Sequence, residues 1–370
     1  MASETLPQLR PLRVSELLDQ AIRLYRQNFV KFVAILGTLQ IPVILLQAIF
    51  TTLYAVSNAQ MQQRLDDPIA MRQMTSPFEI FTPSYFIGVG GNCLLTIVAL
   101  ILIQGIATAA VTRSAAVGYL GKSSSFTDAY RKILPSFWKL VGAVFLVVAL
   151  MLLVSIWSAI PCIGWVTGVG MLVFLSGIIM PLAMLILVTE KQSVTGSLRR
   201  AWDLTRRRFW PVIGFMGTLS LLSWAIAGGP SLIITFLFLF LQDSLASAIG
   251  LASTTALQSI SQALLGLITG LIYSPLQLIC MALMYLDLRV RTEDFDLALQ
   301  ASSALESEEF DVEQSLAQAP PPEVGGLITW PEIGHFALFS LALIVLLVAL
   351  YAIIMGVMFS AVGLGGPPGY

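Results

Sequence analysis

Three carboxylates are the acids best placed to do chemistry in this largely apolar chain. Glu190, Asp203 and Asp287 lie beside long hydrophobic runs rather than within them. Catalysis by a general acid, a general base or a nucleophile needs a titratable group next to an orienting partner, so an enzyme would have to bring these acids together. The sequence contains no nucleotide-binding, zinc-protease or serine-hydrolase motif. We predict that the protein is not an enzyme.

Metal and cofactor chemistry has no better candidates in the sequence. Cys93, Cys162 and Cys280 stand alone, without the paired spacing of a metal site or a disulfide framework. His335, the single histidine, follows Trp330 at the start of the last hydrophobic run. A histidine beside an interfacial aromatic residue favours a structural role over proton sensing. The sequence therefore predicts no metal and no cofactor.

Long hydrophobic runs are the elements that must position any site. Of the 370 residues, 57% are hydrophobic and 11% are charged, whereas about 25% are charged in soluble domains. A transmembrane helix needs about 20 mainly apolar residues. The runs that qualify cover residues 31–56, 85–110, 137–160, 164–189, 210–227, 260–286 and 336–361. We predict an all-α fold, a polytopic transmembrane helix bundle.

The fifth run is interrupted by Gly228, Gly229 and Pro230. The apolar segment that follows, 231–241, is too short to cross a bilayer alone. Two interpretations remain open for this segment. It is either a kinked continuation of the fifth span or a re-entrant segment.

Positive charge is divided unevenly between the two sides of the predicted bundle. Of the 20 Lys and Arg residues, 18 fall on one side, and only Arg64 and Arg72 fall on the other. The 18 lie in residues 1–31, 111–139, 190–208 and 287–291. Because Lys and Arg are enriched in cytoplasmic loops, we predict a cytoplasmic N-terminus and an extracytoplasmic loop at 57–84.

Three segments of the chain align with one another without gaps. Each has an alanine followed eight residues later by a phenylalanine, and a hydroxyl residue six positions before the alanine. These are Ala21, Ala129 and Ala201, then Phe29, Phe137 and Phe209, with the hydroxyls Ser15, Ser123 and Thr195. Hydroxyl residues favour helix N-caps, so we expect amphipathic interfacial helices at about 14–29, 123–136 and 195–209. Each leads into two spans, which predicts three repeats of an amphipathic helix plus a transmembrane hairpin.

The third of these helices carries the densest positive charge. Its candidate contacts are Arg199, Arg200, Arg206, Arg207 and Arg208. A basic residue near an anionic bilayer contributes about 1 kcal/mol of attraction. We therefore expect these arginines to contact anionic lipid headgroups or a protein partner at the cytoplasmic face; nucleic acid is not expected as a partner. The alternative is that the amphipathic helices only anchor the bundle and set its topology.

Neutral polar residues replace ionisable ones inside the predicted spans. The absence of buried charges disfavours transport driven by ions or protons. Gln40, Gln47, Gln104 and Gln277 are the candidate cavity-lining residues of a permease. The alternative is that these amides bond between helices.

The sequence divides into three regions. Residues 1–291 form a six-span membrane domain, 292–334 an acidic, Pro-containing cytoplasmic linker, and 335–370 an appended transmembrane helix with a short tail. The linker composition predicts disorder, although 304–318 has some helical periodicity that a partner-binding helix would show.

Three sequence segments resemble a known family. RPLRVSELLDQAIRLYRQNF, SLRRAWDLTRRRFW and YLDLRVRTEDFDL are similar to the prokaryotic glycerophosphoryl diester phosphodiesterase membrane-domain family, over roughly residues 8–299. The resemblance implies a bacterial or archaeal plasma-membrane protein. In some members a phosphodiesterase barrel is fused to the membrane domain; a barrel needs about 250 residues, so we expect no catalytic half here. The family supplies no catalytic residue.

Two functions therefore remain open from the sequence. The first is a membrane scaffold or regulatory module, which should be solidly packed. The second is a permease-like transporter of an amphipathic solute or lipid, which should enclose a polar or amphipathic cavity.

Overall fold

A computed structural model describes residues 10–69, 81–122, 125–297, 316–317 and 330–363, with side chains up to residue 356. Within these ranges the chain is helical and has no β-strand. The main helices are α1 (Val14–Gln27), α2 (Phe29–Asp66), α3 (Pro83–Tyr119), α4 (Phe126–Arg131), α5 (Phe137–Ser158), α6 (Ile163–Thr189), α7 (Val194–Arg206), α8 (Phe209–Ile249), α9 (Leu251–Glu293) and α10 (Trp330–Gly363).

Seven helices of the described chain are long and apolar enough to cross a membrane, and they coincide with the seven predicted runs. The all-helical, multi-pass prediction is thus confirmed. The helices are longer than the runs, however. α2 continues to Asp66, so the first part of the predicted 57–84 loop is helical and carries Arg64. Arg72 and most of the predicted linker lie outside the described residues.

The Gly-Gly-Pro sequence does not interrupt α8. The helix continues through it to Ile249, with a π-helical turn at Trp224–Gly228 immediately before. Pro230 lacks an N–H, and its ring would clash with the carbonyl one turn earlier; a widened turn relieves that clash. Segment 231–241 is therefore a continuation of the fifth helix and not a re-entrant loop.

The three short helices α1, α4 and α7 lie where amphipathic helices were predicted, but their N-caps differ from the prediction. The residues that precede them are Arg13, Ser125 and Ser193. Ser15 and Thr195 lie inside the first turn and are not caps, and Ser123 is outside the described residues. The cap of α7 works because Ser193 Oγ accepts a hydrogen bond of 3.1 Å from the N–H of Gly196, three residues on.

The alanines shared by the three aligned segments are almost completely buried in the short helices. Ala21 and Ala201 have 0% of their surface exposed and Ala129 has 1%. A new helix begins eight residues after each, at Phe29, Phe137 and Phe209.

The chain divides into two compact units. Unit 1 comprises residues 1–144 and 181–321, and unit 2 comprises 145–180 and 322–370. The core of unit 1 is formed by 107–117 of α3, 181–189 of α6 and 279–286 of α9, where every residue is buried. Five of the α3 residues are alanine, which lets the helices approach closely.

In unit 2, α10 packs against the first half of α6. The N–H of Gly170 donates a hydrogen bond of 2.7 Å to Ser340 Oγ. A side chain at Gly170 would come within 2.6 Å of that oxygen, so the close approach requires glycine. The rings of Phe174 and Phe336 pack edge to face at 5.3 Å.

Candidate functional site

Five ionisable side chains meet in unit 1 where α6 ends beside α7 and the last turns of α9. Glu190 directly follows the apolar run of α6, and Arg200 lies in α7. Tyr285, Arg289 and Glu293 are spaced by four residues in α9, which places them on one face of that helix. We call this set the charge ring.

The contacts of the charge ring close on themselves. Glu190 Oε2 lies 3.2 Å from Arg200 Nε, and Arg200 Nη2 lies 2.5 Å from Glu293 Oε1. Glu293 Oε2 lies 3.2 Å from Arg289 Nε. Arg289 Nη1 donates to the Tyr285 hydroxyl at 3.3 Å, and that hydroxyl donates to Glu190 Oε1 at 2.7 Å. All four carboxylate oxygens are therefore engaged.

The charge ring is deeply buried and electrically neutral. The exposed side-chain fraction is 0% for Glu190, 2% for Arg289 and 8% for Glu293. Two arginines balance two glutamates, which is what makes such burial tolerable, because an unpaired charge in this position would cost several kcal/mol. The ring thus joins α6, α7 and α9 without giving the surrounding surface any net charge.

Arg289 also has contacts outside the ring. Its guanidinium lies 4.2 Å from the centre of the Phe295 ring, a cation–π contact. Its Nη1 donates to the backbone carbonyl of Leu316 at 3.0 Å. Leu316 is 1% exposed, so this arginine fixes a point of the chain well beyond α9.

A second ionic contact holds the N-terminal segment on α9. Asp287 accepts a hydrogen bond of 2.8 Å from the N–H of Leu12 and pairs with Arg291 at 2.7 Å. Nearer the start of α9, the carbonyl of Ile272 accepts a hydrogen bond of 2.7 Å from the Tyr25 hydroxyl of α1. At the helical rise per residue, the distance along the axis is about 20 Å between Leu12 and Tyr25 and about 22 Å between Ile272 and Asp287. α1 therefore packs antiparallel along the end of α9.

The three acids predicted from the sequence are not brought together. Glu190 is in the charge ring, and Asp287 pairs with Arg291. Asp203 pairs with Arg206 at 3.1 Å. Each acid thus lies beside a different arginine.

A cavity of about 740 Å³ adjoins the charge ring in unit 1. Its charged lining residues are Arg113, Asp128, Arg131, Lys132 and Lys191, and its other lining residues are Val117, Pro135, Val188, Thr189, Leu316 and Ala317. We call it the basic cavity. Thr189 and Lys191 flank Glu190, so this acid turns into the ring while its neighbours face the cavity. Among the described lining residues, four cations against one carboxylate give a formal charge of +3.

The five arginines predicted to contact lipid or a partner lie in different surroundings. Arg200 is buried in the charge ring, and Arg199 and Arg206 lie 4.0 and 3.1 Å from Asp203. Arg207 and Arg208 are exposed at the end of α7.

The four predicted cavity-lining glutamines are also dispersed. Gln40 is 6% exposed and packs at Gly270, Gln47 is half-buried and Gln104 is exposed. Gln277 lines a cavity of about 250 Å³ beside the π-helical turn of α8.

No protein-family model, curated protein or solved structure matches this chain. The charge ring and the basic cavity are therefore interpreted from their own chemistry. The resemblance to the glycerophosphoryl diester phosphodiesterase membrane-domain family stays a prediction.

Neither the charge ring nor the basic cavity was predicted from the sequence. One signal was present: Tyr285, Arg289 and Glu293 recur every four residues at the end of an otherwise apolar helix. A polar face on a helix that is apolar elsewhere indicates a buried partner. The partner itself, the pair Glu190 and Arg200, is about 90 residues away and has no such signal.

Proposed function

We propose that this chain is a non-enzymatic multi-pass protein of a prokaryotic plasma membrane, with its N-terminus in the cytoplasm. It acts as a scaffold or regulatory module that docks anionic lipid headgroups or a protein partner. The observation that carries this proposal is the basic cavity, a positively charged surface beside acids that are already neutralised by arginine. A surface of this kind attracts anions and offers no free carboxylate in the charge ring for catalysis.

We include a threefold repeat in the proposal. Support comes from the equivalent burial of Ala21, Ala129 and Ala201, and from the start of a new helix eight residues after each. In this arrangement α1, α4 and α7 are amphipathic helices that present their polar faces to the cytoplasm.

The exposed end of α7 provides the test. Exchanging Arg207 and Arg208 for Gln removes two charges, each contributing about 1 kcal/mol near an anionic surface, so retention of anionic lipid should fall about 25-fold. The measurement is native mass spectrometry of the protein extracted from its own membrane in mild detergent, recording both retained lipids and co-purified proteins. Arg64→Gln, at the end of α2, is the control and should change neither.

Two results would contradict the proposal. One is a wild-type protein that retains neither an anionic lipid nor a stoichiometric protein partner. The other is an equal loss of lipid in the Arg64→Gln variant, since that would reflect overall charge rather than a docking surface.

A permease-like transporter is the second candidate, and one observation favours it. The cavity beside the π-helical turn of α8 is lined by Ser220, Ser223, Tyr273 and Gln277, and π-helical turns are frequent at functional sites. If this cavity binds a solute, the same mass spectra will show a small-molecule adduct that Gln277→Leu removes. If the wild-type protein has no such adduct, the transporter alternative loses its support.

A further inference from the structure

We propose that the basic cavity binds the phosphate of an anionic phospholipid headgroup. This inference rests on the proposed function and deepens it, since it names the ligand and the residues that bind it. Four features of the cavity support it: the charge of the lining, the conformation of Lys191, the size of the cavity and its position.

The lining has the charge that a phosphate group needs. Arg113 is 6% exposed, whereas Arg131, Lys132 and Lys191 are exposed. Among the described residues Asp128 is the one acid in the lining, and its carboxylate accepts hydrogen bonds from the N–H and the hydroxyl of Ser125 at 3.3 and 2.6 Å. Asp128 is engaged in capping α4, and cations outnumber acids among the described lining residues.

Lys191 has an unusual backbone conformation. Its φ of 51° is in the left-handed region, where most L-amino acids are disfavoured. Helices often end with a residue in this conformation, and glycine is the usual choice. A lysine there, with its side chain lining the cavity, points to a functional reason for keeping the charge.

The size and the remaining lining of the cavity favour a lipid over a free phosphate ion. About 740 Å³ lies within the range of small-molecule sites and far exceeds the space that inorganic phosphate occupies. Val117, Pro135, Val188 and Leu316 supply an apolar wall. Such a wall suits the glycerol and the first acyl carbons of a phospholipid.

The position of the cavity fits the headgroup level of a bilayer. Pro135 lies just before α5, one of the helices long enough to cross a membrane. Trp138, in the first turn of α5, is 80% exposed. An exposed tryptophan at the end of an apolar helix marks the membrane interface, so the cavity lies where lipid phosphates are found.

The test is a lipid titration of the purified full-length protein in detergent, followed by native mass spectrometry. The probes are phosphatidylglycerol, phosphatidylcholine with the same acyl chains, and inorganic phosphate. Lys191→Asn removes one charge and keeps a residue that tolerates positive φ. We expect about fivefold weaker binding of phosphatidylglycerol for this variant, about 25-fold weaker for the Arg131→Gln/Lys132→Gln variant, and no change for phosphatidylcholine.

The matched control is Arg23→Gln/Arg26→Gln, which removes two exposed charges from α1 in the same unit. Its affinity for phosphatidylglycerol should stay within about twofold of wild type. Equal weakening in both double variants would overturn the proposal, because binding would then follow overall charge. Displacement of phosphatidylglycerol by millimolar inorganic phosphate would overturn the assignment to a lipid.

The test also separates this inference from the proposed function. If the Arg207→Gln/Arg208→Gln variant loses lipid while the cavity variants bind normally, the docking function stands and the basic cavity is not its site. If native protein retains neither a lipid nor a partner, the proposed function itself fails.

Discussion

Replacing Glu190 with Gln removes one negative charge from the charge ring and keeps the shape of the side chain. Arg200 and Arg289 would then share the single carboxylate of Glu293, which leaves a net positive charge in a buried site. Tyr285 could still donate its hydroxyl hydrogen to the amide oxygen of the new side chain. The variant therefore isolates the effect of the missing charge.

The expected loss follows from the burial of the contact. Glu190 has 0% of its side chain exposed and lies 3.2 Å from Arg200. Removing one partner of a buried ion pair costs about 3–5 kcal/mol. The exposed pair between Arg10 and Glu16 has the similar distance of 3.3 Å but leaves 69% of the Arg10 side chain exposed. Arg10→Gln should therefore cost less than about 1 kcal/mol.

The assay is equilibrium unfolding in mixed detergent micelles with increasing dodecyl sulfate, followed by tryptophan fluorescence and far-UV circular dichroism. The free energy of unfolding is compared among wild type, Glu190→Gln, Arg200→Gln and the variant with both changes. In the double variant the remaining pair, Arg289 with Glu293, is neutral. We expect it to be more stable than the sum of the single losses predicts, with a coupling energy of about 1–3 kcal/mol.

The stabilising role assigned to the charge ring would be refuted if Glu190→Gln were as stable as Arg10→Gln within about 1 kcal/mol. Additive losses in the double variant would also refute it, because residues in one ring of contacts must be coupled.

One further variant tests the packing of α3 against α2, and another tests the attachment of α1 to α9. A Cβ at Gly88 would lie 2.8 Å from the backbone nitrogen of Tyr54, whereas Gly90 has nothing within 4 Å; Gly88→Ala should therefore lower the unfolding free energy by about 1–3 kcal/mol and Gly90→Ala should not, in the same micelle titration. Tyr25→Phe should cost about 1 kcal/mol by removing the hydrogen bond to Ile272. Burial raises the pKa of Tyr25 from 10.0 to about 12, so the contribution of this side chain to stability is present below pH 10 and is lost as the pH rises to 12. Wild type should therefore lose more stability between pH 10 and pH 12 than Tyr25→Phe. Equal losses in the two proteins would contradict the attribution to Tyr25.

The positions of the long helices could be predicted from the sequence because they depend on local composition. Lipid-exposed helices need about 20 apolar residues in succession, and each run shows this directly. Their ends were less predictable: α2 continues past position 56, where Ser57 Oγ donates a hydrogen bond of 2.9 Å to Ser84 Oγ in the first turn of α3. The irregularity in α8 could be expected from Pro230, but not that the helix would continue past it by means of a π-helical turn.

The candidate site was less predictable because its contacts are long-range. Five arginines within residues 199–208 suggest one basic surface, yet the helical period of α7 turns Arg200 towards the buried face that holds Ala201 and Leu204. Whether an arginine near that boundary faces water or protein depends on a counter-charge, and Glu293 lies 93 residues away. The basic cavity likewise combines residues from four separate parts of the chain.

The charge ring also has a consequence for the order of events during biosynthesis. Glu190 and Arg200 are made first, and Arg289 and Glu293 follow about 90 residues later. At about 5–20 residues per second the ribosome needs roughly 5–20 s to add those residues. For that time the nascent chain holds one acid–base pair at the end of α6 without the second pair that closes the ring. The final packing of α6 and α7 therefore waits for the synthesis of α9, and a chain stopped before Arg289 would expose this surface to quality-control proteases.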